Sequence, residues 1–170
     1  PVARVTVPAG RATLGARAGE IAFGWDNEFP GLVVHVPAFE TDVHNVTNEQ
    51  FMDFVDAGGY QQPKWWTPSA FDWVRHDGIE HPGFWTRNDG AWLWRDMFQA
   101  IDLPPAWPVY VSQAEAAAYA RWKGARLLTE AEYHRAAFGE PSGHERQFPW
   151  GDAPPDASRG LFDFASWSPV

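Results

Sequence analysis

The sequence predicts an α+β domain with little regular secondary structure. Two segments alternate apolar and polar residues as strands do, and three segments begin with the chemistry of a helix start. Between the first and second of these helices lies a long tryptophan-rich stretch. Its apolar residues follow neither the spacing of a helix nor that of a strand. A chain of 170 residues can bury a hydrophobic core without disulfides or a structural metal. We therefore expect one globular domain.

Both predicted strands lie near the beginning of the chain. Residues 2–7 read Val-Ala-Arg-Val-Thr-Val and precede Pro8 and Gly10. Residues 32–36 read Leu-Val-Val-His-Val and follow Pro30 and Gly31. Alternation bounded by Pro and Gly is typical of strands with one buried face.

Three helix starts share one arrangement, a hydroxyl residue followed three positions later by Glu or Gln. In this capping box the two side chains each satisfy a backbone N–H group that the helix start leaves free. The boxes are Thr47 to Gln50, Ser112 to Glu115 and Thr129 to Glu132. Apolar residues follow at helical spacing, and glycines at 58–59, 124 and 139 are expected to end the helices in the left-handed conformation.

The stretch from Tyr60 to Pro108 contains seven tryptophans among many Pro, Gly and Asp residues. Loops of that length in a compact domain are usually functional or packed on themselves. Tryptophan supplies the apolar area that lets irregular backbone pack, so core packing is the expected role of each one. We expect this stretch to be largely irregular.

Charge and composition exclude several classes of function. The net charge of −9 argues against nucleic-acid binding, which requires a positively charged surface. The absence of cysteine removes thiol catalysis and thiolate metal sites from these residues. The longest weakly polar run, residues 114–122, is too short and too polar for a bilayer, and no signal peptide is recognisable, so we expect a cytoplasmic protein without a membrane segment.

Six histidines offer the first possibility for metal binding, at positions 35, 44, 76, 81, 134 and 144. None lies four residues from another, the spacing that puts two ligands on one helix face. We expect no metal site built from this chain, although calcium ligation by loop Asp and Asn oxygens stays open. Because no serine-hydrolase or phosphate-loop motif occurs either, these patterns do not specify an activity.

Several blocks of sequence, in one order over most of the chain, resemble the formylglycine-generating-enzyme (sulfatase-modifying factor) family. They are residues 24–30 (Gly-Trp-Asp-Asn-Glu-Phe-Pro), 34–39, 46–51, 108–112, 118–122, 124–133 and 148–151. The resemblance implies a C-type-lectin-like α+β fold with little regular structure. The 170 residues would then form the N-terminal portion of one such domain.

Further blocks point to one branch of that superfamily. Residues 56–66 with 70–73, and residues 160–164 with 167–169, are similar to the non-haem iron sulfoxide synthases of ergothioneine biosynthesis and equally to selenoneine synthases. This resemblance implies that Fe(II) and O2 are used to join a thiol or selenol donor to the imidazole C2 atom of trimethylhistidine. In these enzymes a DinB-like helical domain carries the three iron-binding histidines, and the lectin-like domain closes over them. We therefore expect Fe(II) to be bound outside this chain, by a DinB-like partner domain.

The resemblance assigns no catalytic residue to these 170 positions, because the segments that carry the family's catalytic residues are not expected within this sequence. The family-motif residues that are represented are expected to form a scaffold, whose hydrogen bonds hold irregular backbone in place. They are Asp26, Asn27, Glu28, Thr47, Asn48, Arg126, Thr129, Glu130 and Glu132.

Two other functions stay open. The chain could belong to a non-catalytic lectin-like module that displays a binding surface. It could also belong to a true formylglycine-generating enzyme, whose copper-binding cysteine pair would lie outside this stretch. Histidines in the iron-binding pattern upstream of the chain would favour the synthase.

Overall fold

The structure is a computed structural model and describes residues 2–160. The chain divides into two compact units. Of the described residues, the first unit combines 2–43 with 128–160, and the second comprises 44–127. Residues 161–164 and 167–169, which carry part of the family resemblance, lie outside the described residues.

Two antiparallel strand pairs form the sheet structure of the first unit. Strands β1 (Arg4–Val7) and β4 (Phe39–Asp42) pair with Arg4 opposite Asp42. Strands β2 (Gly10–Leu14) and β3 (Leu32–Val36) pair with Gly10 opposite Val36. Both predicted strands are confirmed, the first over its last four residues.

Helix α4 (Glu130–Phe138) packs against β2 and β3 in this unit. Arg135 of α4 is 4% exposed, and its guanidinium donates hydrogen bonds to the carbonyl oxygens of Pro8, Ala9 and Glu140 at 3.2, 3.5 and 3.1 Å. A Cβ atom at Gly10 would overlap this guanidinium. The buried arginine thus joins the helix to the turn between β1 and β2.

The glycines after the predicted helices behave differently from one another. Gly58 and Gly124 are left-handed, with φ of 71° and 68°, as predicted. Gly139 is not, because it follows α4 with φ −76° and ψ 139°, so that prediction is wrong. Its requirement for glycine is steric, since a Cβ there would approach the carbonyl oxygen of Arg135 to 2.8 Å.

The second unit contains the helices α1 (Asn48–Asp56), α2 (Pro68–His76) and α3 (Gln113–Trp122). It also contains an antiparallel sheet of β5 (Trp85–Asn88), β6 (Ala91–Arg95) and β7 (Ala100–Asp102), in that order. The predicted helices α1, α3 and α4 are confirmed with their capping boxes.

The expectation that residues 60–108 are largely irregular is wrong, because α2 and the whole three-stranded sheet lie within them. Helix α2 starts at the N-cap Thr67, followed by Pro68 in the first turn, without a Glu or Gln at the third position. The β5–β6 turn contains Asp89 and Gly90, both at positive φ, as tight hairpins require.

Aromatic side chains dominate the hydrophobic core of the second unit. Its buried members are Phe51, Phe54, Tyr60, Trp66, Val74, Trp85, Ala118 and Tyr119. The core role expected for the tryptophans of residues 60–108 is confirmed for Trp66 and Trp85, whereas Trp73 is 37% exposed, so the expectation is wrong for that residue. Among residues 2–160 no helix has the length and apolar character needed to traverse a bilayer.

Candidate functional site

The motif residues Asp26, Asn27 and Glu28 form a short 3-10 helix between β2 and β3. Glu28 accepts a hydrogen bond from the backbone N–H of Trp25 at 2.7 Å, and Asp26 accepts one from the backbone N–H of Asn27 at 3.0 Å. The backbone carbonyl of Glu28 also accepts from the N–H of Ala16 at 2.8 Å. Both carboxylates therefore bond to backbone of their own turn.

Three further motif residues lie at the start of α4 in the same unit. The N–H of Thr129 donates to the carboxylate of Glu132 at 2.8 Å, and the N–H of Glu132 donates to the hydroxyl of Thr129 at 3.2 Å. Glu130 is exposed in the first turn, where a negative charge stabilises the positive end of the helix dipole.

The second unit holds Thr47, Asn48 and Arg126. Thr47 shares the capping box of α1 with Gln50 through bonds of 3.0 and 3.3 Å. Asn48 is buried, and its amide donates to the carbonyl of Pro104 at 2.8 Å. Arg126 is exposed and donates to the carbonyl of Leu127 at 3.1 Å.

The nine motif residues are thus divided between the two units, and the hydrogen bonds described for them hold backbone segments in place. Their part in function stays a prediction. The structure brings together Thr129 with Glu132, and Asp26, Asn27 and Glu28 in one turn.

A buried polar pair in the second unit was not expected from the sequence. The phenol of Tyr60 donates a 2.5 Å hydrogen bond to one carboxylate oxygen of Glu115, and the other oxygen accepts from the backbone N–H of Ser112 at 2.7 Å. Tyr60 is 3% and Glu115 4% exposed. Burial, then the negative charge of Glu115 and its hydrogen bond, raise the pKa of Tyr60 far above its ordinary value of 10.0.

The capping box identified Glu115 as a helix-start residue but gave no indication of its second partner. Tyr60 lies 55 positions earlier, after the first helix, and no local pattern links the two residues. Aromatic rings enclose the pair: Trp66 lies 5.4 Å from the Tyr60 ring between centroids, and its indole N–H donates to the carbonyl of Gly59 at 2.9 Å. The phenol and carboxylate therefore share a buried, ring-lined interior.

The described residues do not fit an iron site. Within residues 2–160 no three His, Cys, Asp or Glu side chains converge as a metal would require. The histidine–carboxylate contacts described there join two groups each, His76 with Asp77 at 2.8 Å and His144 with Asp152 at 3.5 Å.

The profile of the sulfatase-modifying factor enzyme 1-like domain, also called the FGE-sulfatase domain, matches residues 2–167. The chain belongs to this family. The FGE-sulfatase assignment confirms the predicted family and the predicted α+β class.

This FGE-sulfatase chain is 41% identical over 158 residues to the hercynine oxygenase of Mycolicibacterium smegmatis, an alignment that covers 91% of this chain and 36% of that protein. It is also 41% identical over 144 residues to the hercynine oxygenase of Mycobacterium tuberculosis, with 84% and 33% covered. The formylglycine-generating enzyme of Streptomyces coelicolor is 33% identical over 161 residues, with 88% and 50% covered. The chain thus spans about a third of the length of the hercynine oxygenases that it matches. These relatives support the predicted likeness to ergothioneine-type enzymes.

Proposed function

We propose that this chain is part of an oxygen-dependent oxidoreductase that acts on hercynine, which is trimethylhistidine. The 41% identity to the Mycolicibacterium smegmatis hercynine oxygenase, over 91% of the chain, carries this proposal. The formylglycine-generating enzyme of Streptomyces coelicolor matches a similar share of the chain at 33% identity. The higher identity to the hercynine oxygenase favours hercynine over a sulfatase peptide as the substrate.

The finer proposal is that the enzyme is a non-haem iron sulfoxide synthase, in which a thiol or a selenol donor is joined to the imidazole C2 atom. Since residues 2–160 do not fit an iron site, the proposal places the Fe(II) ligands outside them, in a DinB-like helical domain. The chain would contribute part of the lectin-like domain, whose loops are held by the Asp26–Glu28 turn and the capping boxes at Thr47 and Thr129.

Oxygen consumption by the parent protein that carries this chain tests the proposal. The protein is loaded anaerobically with Fe(II), then mixed with O2, trimethylhistidine and either a panel of thiols or a selenol. We expect O2 uptake that requires trimethylhistidine and a donor, and a product whose mass shows a new bond from sulfur or selenium to carbon. The donor that supports uptake distinguishes sulfur from selenium chemistry. The absence of trimethylhistidine-dependent uptake with every donor would overturn the proposal.

A non-catalytic role is the second candidate, and one observation favours it. The chain is 32% identical over 166 residues to the inactive C-alpha-formylglycine-generating enzyme 2 of Mus musculus. A module of this kind would bind Fe(II) weakly and consume no O2 with either trimethylhistidine or a cysteine-containing sulfatase peptide. Formylglycine formation in that peptide would instead identify a formylglycine-generating enzyme.

A further inference from the structure

The buried pair of Tyr60 and Glu115 has the parts of a proton-coupled redox site. The phenol and the carboxylate are joined by a 2.5 Å hydrogen bond inside the aromatic core. The backbone N–H of Ser112 bonds to the other carboxylate oxygen at 2.7 Å and so fixes the orientation of the acceptor. A buried polar pair bonded in this way is held in one geometry.

Closely spaced rings connect this phenol with the edge of the core. Trp66 lies 5.4 Å from Tyr60, and the Phe54 ring lies 5.9 Å from Tyr60 and 6.0 Å from Tyr119. Trp122 lies 5.8 Å from Tyr119, is only partly buried, and has the ammonium group of Lys123 4.7 Å from its ring. Electrons can step between Trp66 and Tyr60, and between Trp122 and Tyr119, because indole and phenol rings are readily oxidised. The Phe54 ring, which is not readily oxidised, separates these two pairs, so an electron crosses it in a single longer step.

Indole and phenol rings are among the side chains that lose one electron most readily. An oxidised phenol is a strong acid, so its oxidation is easy only where a base receives the proton. Glu115 is such a base, because an ionised carboxylate accepts hydrogen bonds and Tyr60 is the donor. The same pair in water would exchange its proton with solvent, whereas burial confines the transfer to the two side chains.

We propose that Tyr60 is a redox-active residue, which reduces an oxidised neighbouring tryptophan and transfers its proton to Glu115. In this step the Trp66 radical cation gains one electron and becomes a neutral indole. Tyr60 loses that electron, its O–H bond breaks, and the proton moves to the Glu115 oxygen. The products are a neutral tyrosyl radical and a neutral carboxyl group, so the net charge of the three side chains stays zero.

The first oxidant is a one-electron oxidant such as a radical formed by partial reduction of O2. An enzyme that consumes O2 is exposed to such radicals, which gives the ring chain a protective role beyond the proposed reaction. The redox property itself depends only on the ring geometry and the hydrogen bond. Its test therefore contains no trimethylhistidine and no donor, and its failure is distinguishable from failure of the proposed function.

Flash photolysis of the purified chain tests the proposal, with a ruthenium(II) tris-bipyridine sensitiser and an irreversible electron acceptor as the source of oxidant. The background protein carries Tyr110→Phe and Tyr133→Phe, because those rings are more than half exposed and would be oxidised directly. We expect a tryptophan radical that decays as a tyrosyl radical appears in transient absorption. That step should slow in D2O, since a proton moves with the electron.

Three variants in this background identify the residue. Tyr60→Phe should remove most of the tyrosyl signal. Tyr119→Phe leaves Tyr60 as the last tyrosine and should still form the radical, but more slowly, because Tyr119 belongs to the chain of rings. Glu115→Gln should lower the tyrosyl yield while keeping the capping box, because Gln50 fills the same position in α1. Near-ultraviolet circular dichroism checks that each variant is folded.

A tyrosyl signal of unchanged size in folded Tyr60→Phe would overturn the proposal. If Tyr60→Phe does not fold, the yield in Glu115→Gln and the D2O effect in the background protein decide instead. An unchanged yield together with no isotope effect would show that the pair is structural only.

Discussion

At the scale of single residues, buried polar side chains stabilise backbone that belongs to no sheet or helix. Arg135 bonds to three carbonyl oxygens, and Asn48 bonds to the carbonyl of Pro104. The half-buried Glu145 bonds instead to a strand, because it accepts from both the N–H and the hydroxyl of Thr13 in β2, at 2.7 and 2.6 Å. A buried carbonyl or N–H without a partner costs about 1–3 kcal/mol, which explains why these side chains reach across loops.

The buried Gly59 gives a direct test of how tightly the core of the second unit is packed. A Cβ atom there would overlap the ring of Phe54, which is fully buried. We expect Gly59→Ala to destabilise the chain by about 1–3 kcal/mol in urea unfolding, the usual result of overpacking. The control is Gly83→Ala, where a Cβ atom meets nothing within 4 Å and no loss is expected. Equal stabilities of the two variants would contradict this packing.

The exposed Asp152 predicts a stability difference that depends on pH. The hydrogen bond from the backbone N–H of Gln147, then the contact with His144, lowers the pKa of this carboxyl below its ordinary 3.8. Because the unfolded chain then binds the proton at higher pH than the folded one, the stabilisation is complete above that ordinary value and is lost as pH falls through the folded pKa.

We expect Asp152→Asn to be less stable than the unsubstituted chain at neutral pH. In urea unfolding, the difference should shrink as pH falls below the ordinary pKa of aspartate. A difference that is constant across the acid range would show that the charge of Asp152 is not responsible.

At the scale of elements, the local chemistry of a helix start predicts three of the four described α-helices. Capping boxes place two side chains against two free backbone N–H groups, so they act before any tertiary contact is made. Helix α2 has the hydroxyl of a capping box, at Thr67, but no Glu or Gln three positions later. It also lies in a tryptophan-rich stretch whose apolar residues show no clear periodicity. The sheet β5–β6–β7 also had a local signal, the Asp89-Gly90 pair that favours a tight hairpin.

The capping box at the start of α4, formed by Thr129 and Glu132, can be tested by substitution. Thr129→Ala should destabilise the chain by about 0.5–2 kcal/mol, the cost of losing a cap. Glu132→Ala should do the same, whereas Glu132→Gln should cost less because Gln50 forms the same box in α1. Substrate affinity of the parent protein, measured per folded molecule, should not change. A large loss of affinity at unchanged melting temperature would assign Thr129 and Glu132 to the binding site.

At the scale of the whole molecule, the sequence predicted the family and class of fold but not the contacts between distant segments. The Tyr60–Glu115 bond, the Thr13–Glu145 bond and the reach of Arg135 to Pro8 join residues 55, 132 and 127 positions apart. No local period encodes such pairings, since they depend on how complete elements pack. Family motifs identified the turns and caps but assigned no catalytic residue, so the scaffold role of the motif residues stays a prediction.

The absence of a three-ligand cluster in residues 2–160 leads to the last prediction. We expect the 170-residue chain alone to bind Fe(II) weakly and to show no O2 uptake with trimethylhistidine and a thiol donor. Iron in a histidine site needs several imidazoles converging at about 2 Å, oriented by further hydrogen bonds. Anaerobic calorimetric titration followed by the O2 assay measures both. Stoichiometric micromolar binding would place the iron site within this chain.

The first unit is assembled from residues before position 44 and after position 127, which has a consequence for its synthesis on the ribosome. Residues 44–127 can form their own core as soon as they have been translated. Thr13 must wait for Glu145, 132 positions later, and at about 5–20 residues per second that interval is roughly 7–26 s. During this time the β2–β3 pair lacks the helix that packs against it, so the nascent chain exposes one face of that pair to chaperones and to neighbouring chains until α4 has left the exit tunnel.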